Sequence, residues 1–207
     1  MKIGIMGGTF NPVHSGHIAF VRAFISQIGL DMCFVIPARR SPFRMNEPLA
    51  EDMHRVRMLE LALQDVPRAT VSDIEIHRDG LSFTIDTVRE LQLQFPHAEL
   101  FLLIGEDQAH RFKEWKEWES LLSLTQLCIV QRTEDANLQM LLDELIEGLD
   151  VKNPLVLKSP LFHVSSTLIR EAMVTGQAIS DYVPKQVEEY ILSHNLYVQS
   201  RVNLQLY

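Results

Sequence analysis

Short apolar runs alternate with amphipathic stretches along most of the chain. The apolar runs predict buried strands at residues 2–6, 33–36, 70–76, 100–104 and 127–130, with two shorter strand-like pieces around 159–160. Apolar residues at helical spacing predict helices near 15–28, 53–63, 85–95, 138–149, 167–174 and 185–194. Because buried strands that alternate with helices form parallel sheets covered on both faces, the pattern predicts a Rossmann-like, doubly wound α/β fold with a small C-terminal helical part.

The length of 207 residues suits one domain. We expect that domain to cover residues 1–197, with the last helices beginning near 165, and a loosely held tail over 198–207. Apolar residues make up 46% of the chain and charged residues 22%, so a full hydrophobic core can form. The chain contains no internal repeat and no low-complexity tract.

The formal net charge of −8 argues against a general nucleic-acid-binding protein, which would be expected to carry an excess of basic residues. A small anionic ligand is compatible with this charge, because a few arginines at one site outweigh a distant negative surface. No apolar stretch approaches the ~20 residues that span a bilayer, and no signal region is seen. We therefore expect a soluble, cytoplasmic protein with no membrane partner.

The chain has two cysteines, Cys33 and Cys128, and each lies in an apolar run. They do not form a Cys-x-x-Cys pair. This placement predicts two buried thiols rather than a disulfide or a metal site.

The first predicted strand ends in GGTFNPVHSGH, from Gly7 to His17. Paired glycines let the backbone turn tightly and bring its N–H groups close to a ligand. The helix predicted to begin near Ser15 adds further N–H donors and the positive end of its dipole. Ligands of doubly wound sheets bind at this kind of strand end, so the stretch predicts an anion site. It matches neither the dinucleotide motif nor the P-loop motif.

Two histidines, His14 and His17, stand at the helix entrance and can point to one side of its first turn. They could bind phosphate. They could instead belong to an ordinary helix start, with His14 on the surface and His17 packed, or they could be zinc ligands, although a third ligand is not evident. Beside paired glycines at a strand exit, the pattern favours phosphate contact.

A similar combination occurs near the C-terminus, in the sequence VSSTLIR from Val164 to Arg170. Its hydroxyl side chains can cap a helix, and Arg170 follows one turn later. Hydroxyls, N–H groups and a guanidinium at one helix start can hold a second phosphate. A capped helix with a surface arginine is the alternative.

These two stretches resemble the (H/T)xGH and ISSTxIR signatures of a nucleotidyltransferase superfamily. In its His-x-Gly-His form, the first resembles the nicotinate (nicotinamide) mononucleotide adenylyltransferases; the phosphopantetheine branch usually has Thr in place of His14. Further resemblances cover residues 1 to about 197, at the segments IPARRSPFR, SFTIDT, IGED, FKEWKEWESL, LCIVQR and VPKQVEEYILSHNLY. The chain departs from the family at Phe43, where His is usual, at Phe83, which replaces Tyr, and at Lys116, where Tyr is frequent.

The resemblance implies an enzyme of NAD biosynthesis that joins nicotinate mononucleotide to the AMP moiety of ATP, forming deamido-NAD and pyrophosphate. Mg²⁺ would enter with ATP, and no protein group need bind it tightly. Alternative acceptors are nicotinamide mononucleotide and phosphopantetheine. A non-catalytic nucleotide-binding protein is the alternative from another class. The oligomeric state is left open.

By the same resemblance, the catalytic residues would be His14, His17 and Arg170. ATP would be bound by Gly8, Thr9, Phe10, His14, His17, Arg44, Ser166, Thr167 and Arg170. The mononucleotide would be bound by Thr84, Asp107, Trp115 and Arg132. Two of these assignments leave alternatives: Thr84 could only cap its helix, and Asp107 could hold its own loop instead of a ribose.

Overall fold

The computed structural model describes residues 1–45, 47–131, 138–160 and 163–198. Its strands are β1 Lys2–Gly8, β2 Met32–Pro37, β3 Ala69–Val71, β4 Glu99–Gly105, β5 Gln126–Gln131 and β6 Leu155–Lys158. Its helices are α1 Ser15–Ile28, α2 Asp52–Leu63, α3 Thr84–Gln94, α4 Glu106–Ala109, α5 Trp118–Leu124, α6 Leu138–Ile146, α7 Ser166–Thr175 and α8 Lys185–Ser193. A 3₁₀ turn, Phe112–Glu114, lies between α4 and α5.

The described strands form one sheet in the order β3-β2-β1-β4-β5-β6, and every neighbouring pair is parallel. The order reverses direction between β1 and β4, which pair through Ile5 and Leu102 among other residues. In such sheets the crevice outside the carboxyl ends of the strands at this reversal is the usual ligand site. The predicted Rossmann-like α/β fold is confirmed.

Helices cover both faces of the sheet and divide the core into two clusters. Both clusters contain strand side chains. The helix side chains of one cluster come from α1, α2, α7 and α8, and those of the other come from α3, α4, α5 and α6. Gly4 in β1 allows α1 to pack directly on the strand. A Cβ at Gly4 would lie 2.5 Å from Leu30 Cδ1 and 2.7 Å from Phe24 Cε1. This close packing sets where the entrance of α1 stands relative to the end of β1.

Most predicted elements are confirmed, but the third predicted strand is much too long. Residues 70–76 were expected to be extended, whereas β3 ends at Val71 and the chain then turns, with Ile76 N–H bonded to the Asp73 carbonyl. Of the two strand-like pieces around residues 159–160, the first is β6, and no strand is present at residues 163–165, which follow the second. Residues 161–162 lie outside the described part.

Helix α2 is present, and its buried face agrees with the predicted apolar face only in part. Helical spacing predicts that face from Met53, Val56, Leu59 and Leu63; Leu59 and Leu63 are buried, whereas Met53 is 80% exposed. Arg55, which is not on the predicted face, is fully buried. Its guanidinium can be buried because it donates to backbone carbonyls inside the protein.

Cys33 and Cys128 are both buried free thiols, as predicted. Burial disfavours the thiolate and raises the pKa of each thiol to about 12. None of the helices within the described residues is both long and apolar enough to cross a membrane.

Candidate active site

A cavity of about 610 Å³ opens at the carboxyl ends of β1 and β4, where the strand order reverses. Its walls come from the loop after β1, the entrance of α1, the loop after β2, the start of α3, the segment after β4 and the entrance of α7. Of the predicted site residues, it is lined by Gly8, Thr9, Phe10, His14, His17, Arg44, Thr84, Asp107, Trp115, Ser166 and Thr167. Segments that are far apart in sequence thus meet around one space.

The loop after β1 turns tightly at the bottom of this cavity. Phe10 adopts a positive φ of 46°, which is uncommon for a residue with a side chain, and its ring is buried. Gly8 accommodates that ring, because a Cβ at Gly8 would lie only 3.0 Å from Phe10 Cζ. The ring also meets His17 edge-on at 5.0 Å between centroids. Phe10 therefore supports the histidines with its ring, and only its backbone can contact a phosphate.

His14 and His17 stack on each other at the entrance of α1, with ring centroids 3.7 Å apart and an interplanar angle of 25°. The backbone N–H of His14 donates to Nδ1 of His17 at 3.3 Å. Since Nδ1 accepts, a neutral His17 carries its proton on Nε2 and can donate from there. The alternative with a surface His14 and a packed His17 is wrong, because His14 is buried and His17 is partly exposed.

The entrance of α7 lies beside the loop after β1. Ser165 Oγ accepts the Leu168 N–H at 3.1 Å and caps the helix, as the sequence predicted for this serine-rich stretch. Ser166 Oγ donates to the Pro12 carbonyl at 2.8 Å, which joins the two predicted phosphate-binding stretches directly. Thr167 is exposed and lines the cavity.

Arg170 is oriented differently from the other predicted phosphate ligands. It donates to the Asn11 carbonyl at 2.8 Å and to Thr167 Oγ1 at 3.2 Å, and it is not among the residues that line the cavity. It is half-buried rather than a surface arginine. In this arrangement Arg170 ties α7 to the loop after β1.

The loop after β2 forms one side of the cavity mouth. Arg44 is exposed there and forms an ion pair with Glu47 at 2.9 Å. Phe43, which replaces the family histidine, faces Trp115 with 6.3 Å between ring centroids, and the Arg111 guanidinium lies 4.8 Å from the Phe43 ring centre. Aromatic and cationic groups therefore meet across the mouth.

Beside this loop, the N-terminus of α3 opens into the cavity. Phe83 is the N-cap residue and makes no side-chain cap, so Thr84 occupies the first helical position and does not cap the helix with its hydroxyl. The capping alternative for Thr84 is therefore wrong. The nearby Lys116 ammonium, at a position where the family often has Tyr, lies 4.6 Å from the Phe83 ring centre and 3.2 Å from Asp86 Oδ2.

Asp107 and Trp115 complete this side of the cavity. Asp107 is exposed in the first turn of α4 and accepts from the Gln108 side chain at 3.0 Å. Trp115 packs on Phe112 at 5.3 Å, and its indole N–H is buried without a hydrogen-bond acceptor among the described residues. Arg132, the fourth residue predicted for the mononucleotide, lies outside the described residues.

Glu75 is a cavity-lining residue that the sequence interpretation missed. It is buried, accepts from Thr87 Oγ1 at 2.7 Å and also interacts with the Ser82 hydroxyl. Burial raises the pKa of its carboxyl group above the usual 4.5, although both hydroxyl contacts oppose that shift. Arg78 donates to the same Thr87 oxygen at 2.9 Å. Glu75 lies within the strand predicted at residues 70–76, and a carboxylate there carried no sequence signal for burial.

A zinc site at the histidines receives no support from the surrounding side chains. Within the described ranges, no group of three His, Cys, Asp or Glu side chains is placed to hold a metal ion. The donor atoms around the stacked imidazoles are instead backbone N–H groups and hydroxyls, which suit an anion.

The chain is similar to known proteins over nearly its whole length. The family model described as cytidylyltransferase-like matches residues 5–172. Nicotinate-nucleotide adenylyltransferase from Bacillus subtilis is 35% identical over 199 residues, covering 95% of this chain and 98% of that protein. A relative from Lachnoclostridium phytofermentans, described as a probable nicotinate-nucleotide adenylyltransferase, is 36% identical over 199 residues and is covered to 99% of its length.

Solved structures agree on the fold. Plasmodium falciparum nicotinic acid mononucleotide adenylyltransferase complexed with NaAD has a TM-score of 0.76 at 21% identity, with 95% of this chain and 97% of that chain covered. The same protein complexed with APC also has a TM-score of 0.76, at 19% identity over 95% of this chain and 96% of that chain. This chain therefore belongs to the cytidylyltransferase-like family and is a nucleotidyltransferase, related over nearly its whole length to the nicotinate-nucleotide adenylyltransferases.

Proposed function

We propose that this protein transfers the adenylyl group of ATP to nicotinate mononucleotide. An oxygen of the mononucleotide 5′-phosphate attacks the α-phosphorus of ATP and forms the new P–O bond. The bond from the α-phosphorus to the bridging oxygen breaks, and pyrophosphate leaves with that oxygen. The products are nicotinate adenine dinucleotide and pyrophosphate. Such transfers need positioning and charge stabilisation more than covalent catalysis.

The observation that carries this proposal is that two separate anion-binding features face one cavity. The loop after β1 and the entrances of α1 and α7 form one of them, and the N-terminus of α3 forms the other. The cavity volume of about 610 Å³ lies within the range of pockets that enclose small ligands. One feature suits a polyphosphate, and the other suits a carboxylate on a ring.

At the polyphosphate end, His17 would donate from Nε2 to the transferring phosphate, and His14 would support it through the stacked ring. Backbone N–H groups near Gly8, Thr9 and Phe10 would bind phosphate oxygens. Ser166, Thr167 and the exposed Arg44 would contact ATP, whereas Arg170 would act on it through Thr167. Donors held in place before the reaction stabilise charge as it develops.

At the other end, the N–H groups of the first turn of α3 would bind the pyridine carboxylate, with the Thr84 hydroxyl beside them. Trp115 would stack on the pyridine ring, and its buried indole N–H could gain an acceptor when the ring enters. Asp107 would accept from ribose hydroxyls. Arg132, which the structure does not describe, would contact the mononucleotide phosphate.

Mg²⁺ would enter this site bound to ATP, and the protein would not hold it as a resident ion. The histidines and hydroxyls at the polyphosphate end are not the carboxylate oxygens that Mg²⁺ prefers, and no three-residue cluster of metal ligands occurs among the residues described. Bound to the polyphosphate oxygens and water, it would neutralise charge on the leaving pyrophosphate. Thr9, Ser166 and Thr167 would then bind the remaining phosphate oxygens.

The acceptor is supported by the relatives, whose names specify nicotinate nucleotide, and by the Plasmodium structure that contains NaAD. Pyrophosphate release with ATP and Mg²⁺, measured with nicotinate mononucleotide, nicotinamide mononucleotide and phosphopantetheine in parallel, tests it directly. We expect release with nicotinate mononucleotide and much slower release with the other two. Fast release with another acceptor would reassign the substrate. ATP binding without release would favour a non-catalytic binding protein.

The carboxylate site can be tested by removing one backbone N–H. Thr84→Pro removes the N–H at the first helical position, where proline is tolerated. Phe83 before it has φ −102° and ψ 128°, a conformation compatible with a following proline. Thr84→Ala is the matched control, because it removes the hydroxyl and keeps the N–H. We expect Thr84→Pro to raise KM for the acid and to reduce the preference over the amide more than Thr84→Ala does. Equal effects of the two variants would contradict the backbone contact.

A further inference from the structure

Arg55 in α2 is the largest side chain that is completely buried, and its guanidinium is surrounded by acceptors. Its Nη1 donates to the Thr9 carbonyl at 2.8 Å and to the Ala38 carbonyl at 2.7 Å. Its Nε donates to the Ala50 carbonyl at 3.1 Å, and its Nη2 donates to the Asp52 carboxylate. The acceptors thus belong to three segments: the loop after β1, the loop after β2 and the start of α2.

Burying a guanidinium in this way is expensive. Only one of its acceptors is charged, and the Asp52 side chain is 35% exposed, so solvent weakens this ion pair while the guanidinium itself is fully desolvated. A buried apolar side chain of similar size would stabilise the helix packing at least as well. The arginine therefore makes physical sense for what its donors hold in place, since no apolar side chain could hold several carbonyls.

The first peptide group that Arg55 holds is Thr9–Phe10. The only cis peptide bond of the described chain is Asn11–Pro12, so Thr9–Phe10 is trans, and its carbonyl and N–H point in opposite directions. Fixing the Thr9 oxygen on Arg55 turns the Phe10 N–H away from the core. Thr9 and Phe10 both line the cavity. The positive φ of Phe10 is unfavourable on its own, so the loop needs such an anchor.

The second peptide group is Ala38–Arg39. Its carbonyl accepts from Arg55, and the Arg39 N–H on the other side donates to Ser82 Oγ at 3.1 Å. Ser82 lines the cavity two residues before α3 begins. One guanidinium therefore connects the polyphosphate end of the cavity with the segment that leads into the mononucleotide end.

We propose that Arg55 is a positioning residue for the transfer reaction, holding the Thr9 carbonyl so that the Phe10 N–H faces the phosphates of ATP. This inference rests on the proposed function, because it assigns the phosphates to the loop after β1. Arg55 itself touches no substrate. Its contribution is the orientation of a backbone donor, which is the kind of donor that stabilises a transferring phosphate.

The experiment compares Arg55→Met and Arg55→Lys with Arg68→Met. Arg68 also donates to a backbone carbonyl, that of Leu30 at 2.9 Å, but Leu30 does not line the cavity, whereas Thr9 and Ala38 do. Circular dichroism and thermal melting establish that each variant is folded at the assay temperature. We then measure kcat and KM for ATP by pyrophosphate release, and the dissociation constant of ATP by calorimetry.

We expect Arg55→Met to lower kcat about 100-fold at saturating ATP, the loss typical of a misplaced or missing donor. Arg55→Lys keeps a cation that can reach some of the carbonyls and should recover part of kcat. Arg68→Met should stay within about twofold, as exposed substitutions usually do. A purely structural role predicts a lower melting temperature with wild-type kcat in the folded protein, and that result would overturn the proposal.

If Arg55→Met does not fold, Arg55→Lys and Asp52→Ala replace it in the comparison. Asp52→Ala removes the partly exposed acceptor of one guanidinium donor. A lower kcat in these folded variants supports the proposal, and wild-type kcat overturns it. If the wild type releases no pyrophosphate with any acceptor, the proposed function is wrong. The dissociation constants of ATP then test the positioning role of Arg55 separately. Weaker ATP binding in Arg55→Lys with unchanged binding in Arg68→Met supports the positioning role, and equal binding in both refutes it.

Discussion

Gly16 lies between the two histidines in the first turn of α1, and its replacement by alanine should reduce activity without unfolding the protein. A Cβ at Gly16 would lie 3.1 Å from His14 Nδ1, 3.2 Å from His14 Cε1 and 3.3 Å from Val164 Cγ1. Unstrained contacts between such atoms begin at about 3.5 Å. The His14 ring must therefore move by a few tenths of an ångström, or Val164 must.

Two opposing terms decide the effect of Gly16→Ala on stability. Alanine is about 1 kcal/mol better than glycine inside a helix, and somewhat less at a first turn. Crowding a packed position costs about 1–3 kcal/mol. The free energy of unfolding should thus fall by no more than about 2 kcal/mol, which leaves the protein folded at the assay temperature.

The effect of Gly16→Ala on turnover should be larger than its effect on stability. His14 is buried and stacked 3.7 Å from His17, so a shift of its ring is passed to its neighbour. Because a misplacement of 1 Å costs about 100-fold, a shift of a few tenths should lower kcat about 5- to 10-fold. Pyrophosphate release measures kcat, thermal melting measures stability, and Ser26→Ala on the exposed side of α1 is the control. Wild-type kcat in folded Gly16→Ala would refute the dependence on the histidine stack.

His17→Ala should lose about 3–4 kcal/mol of transition-state stabilisation while remaining folded, and near-normal turnover would contradict its phosphate role. Burial raises the Glu75 pKa, so the protonated acid is favoured in the fold, and the contribution of this group to stability falls as the pH rises from about 4.5 to the raised pKa. Glu75→Gln does not titrate, and its stability relative to the wild type, measured by urea unfolding, should therefore increase over that range; a constant difference would argue against the shift. The Tyr197 hydroxyl is buried without a hydrogen-bond partner in the described chain, so Tyr197→Phe should raise the unfolding free energy by about 1 kcal/mol, and a lower melting temperature would reveal a missed partner. Cys33 and Cys128 should not react with a thiol reagent at about pH 8 until the protein unfolds, since their thiolates are disfavoured; fast labelling of native protein would disprove their burial.

Local sequence patterns predicted the secondary structure well where the spacing of apolar residues matches the burial of their side chains. Helix α1 begins and ends at the predicted residues, and the first two strands differ from prediction by no more than two residues at either end. The prediction failed for residues 72–76, where apolar side chains alternate but the backbone turns and returns to place Glu75 under the cavity. A short alternating pattern does not separate a strand from a turn whose side chains are partly buried.

The sequence motifs identified many of the residues that line the candidate site. The cavity is lined by the paired glycines that end β1, by the two histidines at the start of α1 and by the two serines at the start of α7. Short sequences specify these features because a glycine turn and a helix entrance are local structures. Whether each of these residues performs its assigned role stays a prediction. Arg170 shows the limit of a motif, since its guanidinium is used to hold the Asn11 carbonyl.

The spacing of apolar residues and the motifs were sufficient to predict the order of strands and helices, the parallel sheet that follows from it, and the two helix entrances that can receive anions. The three-dimensional structure was needed to show that these entrances share one cavity with α3, that His14 is buried against His17, that Glu75 lines the cavity, and that Arg55 holds the loop after β1 from beneath. The physical reason is that the hydrogen-bond partners of such residues lie far away in the sequence. Side-chain periodicity is a local property, whereas Arg55 is held by the carbonyls of Thr9 and Ala38, which come into reach only when the sheet has formed.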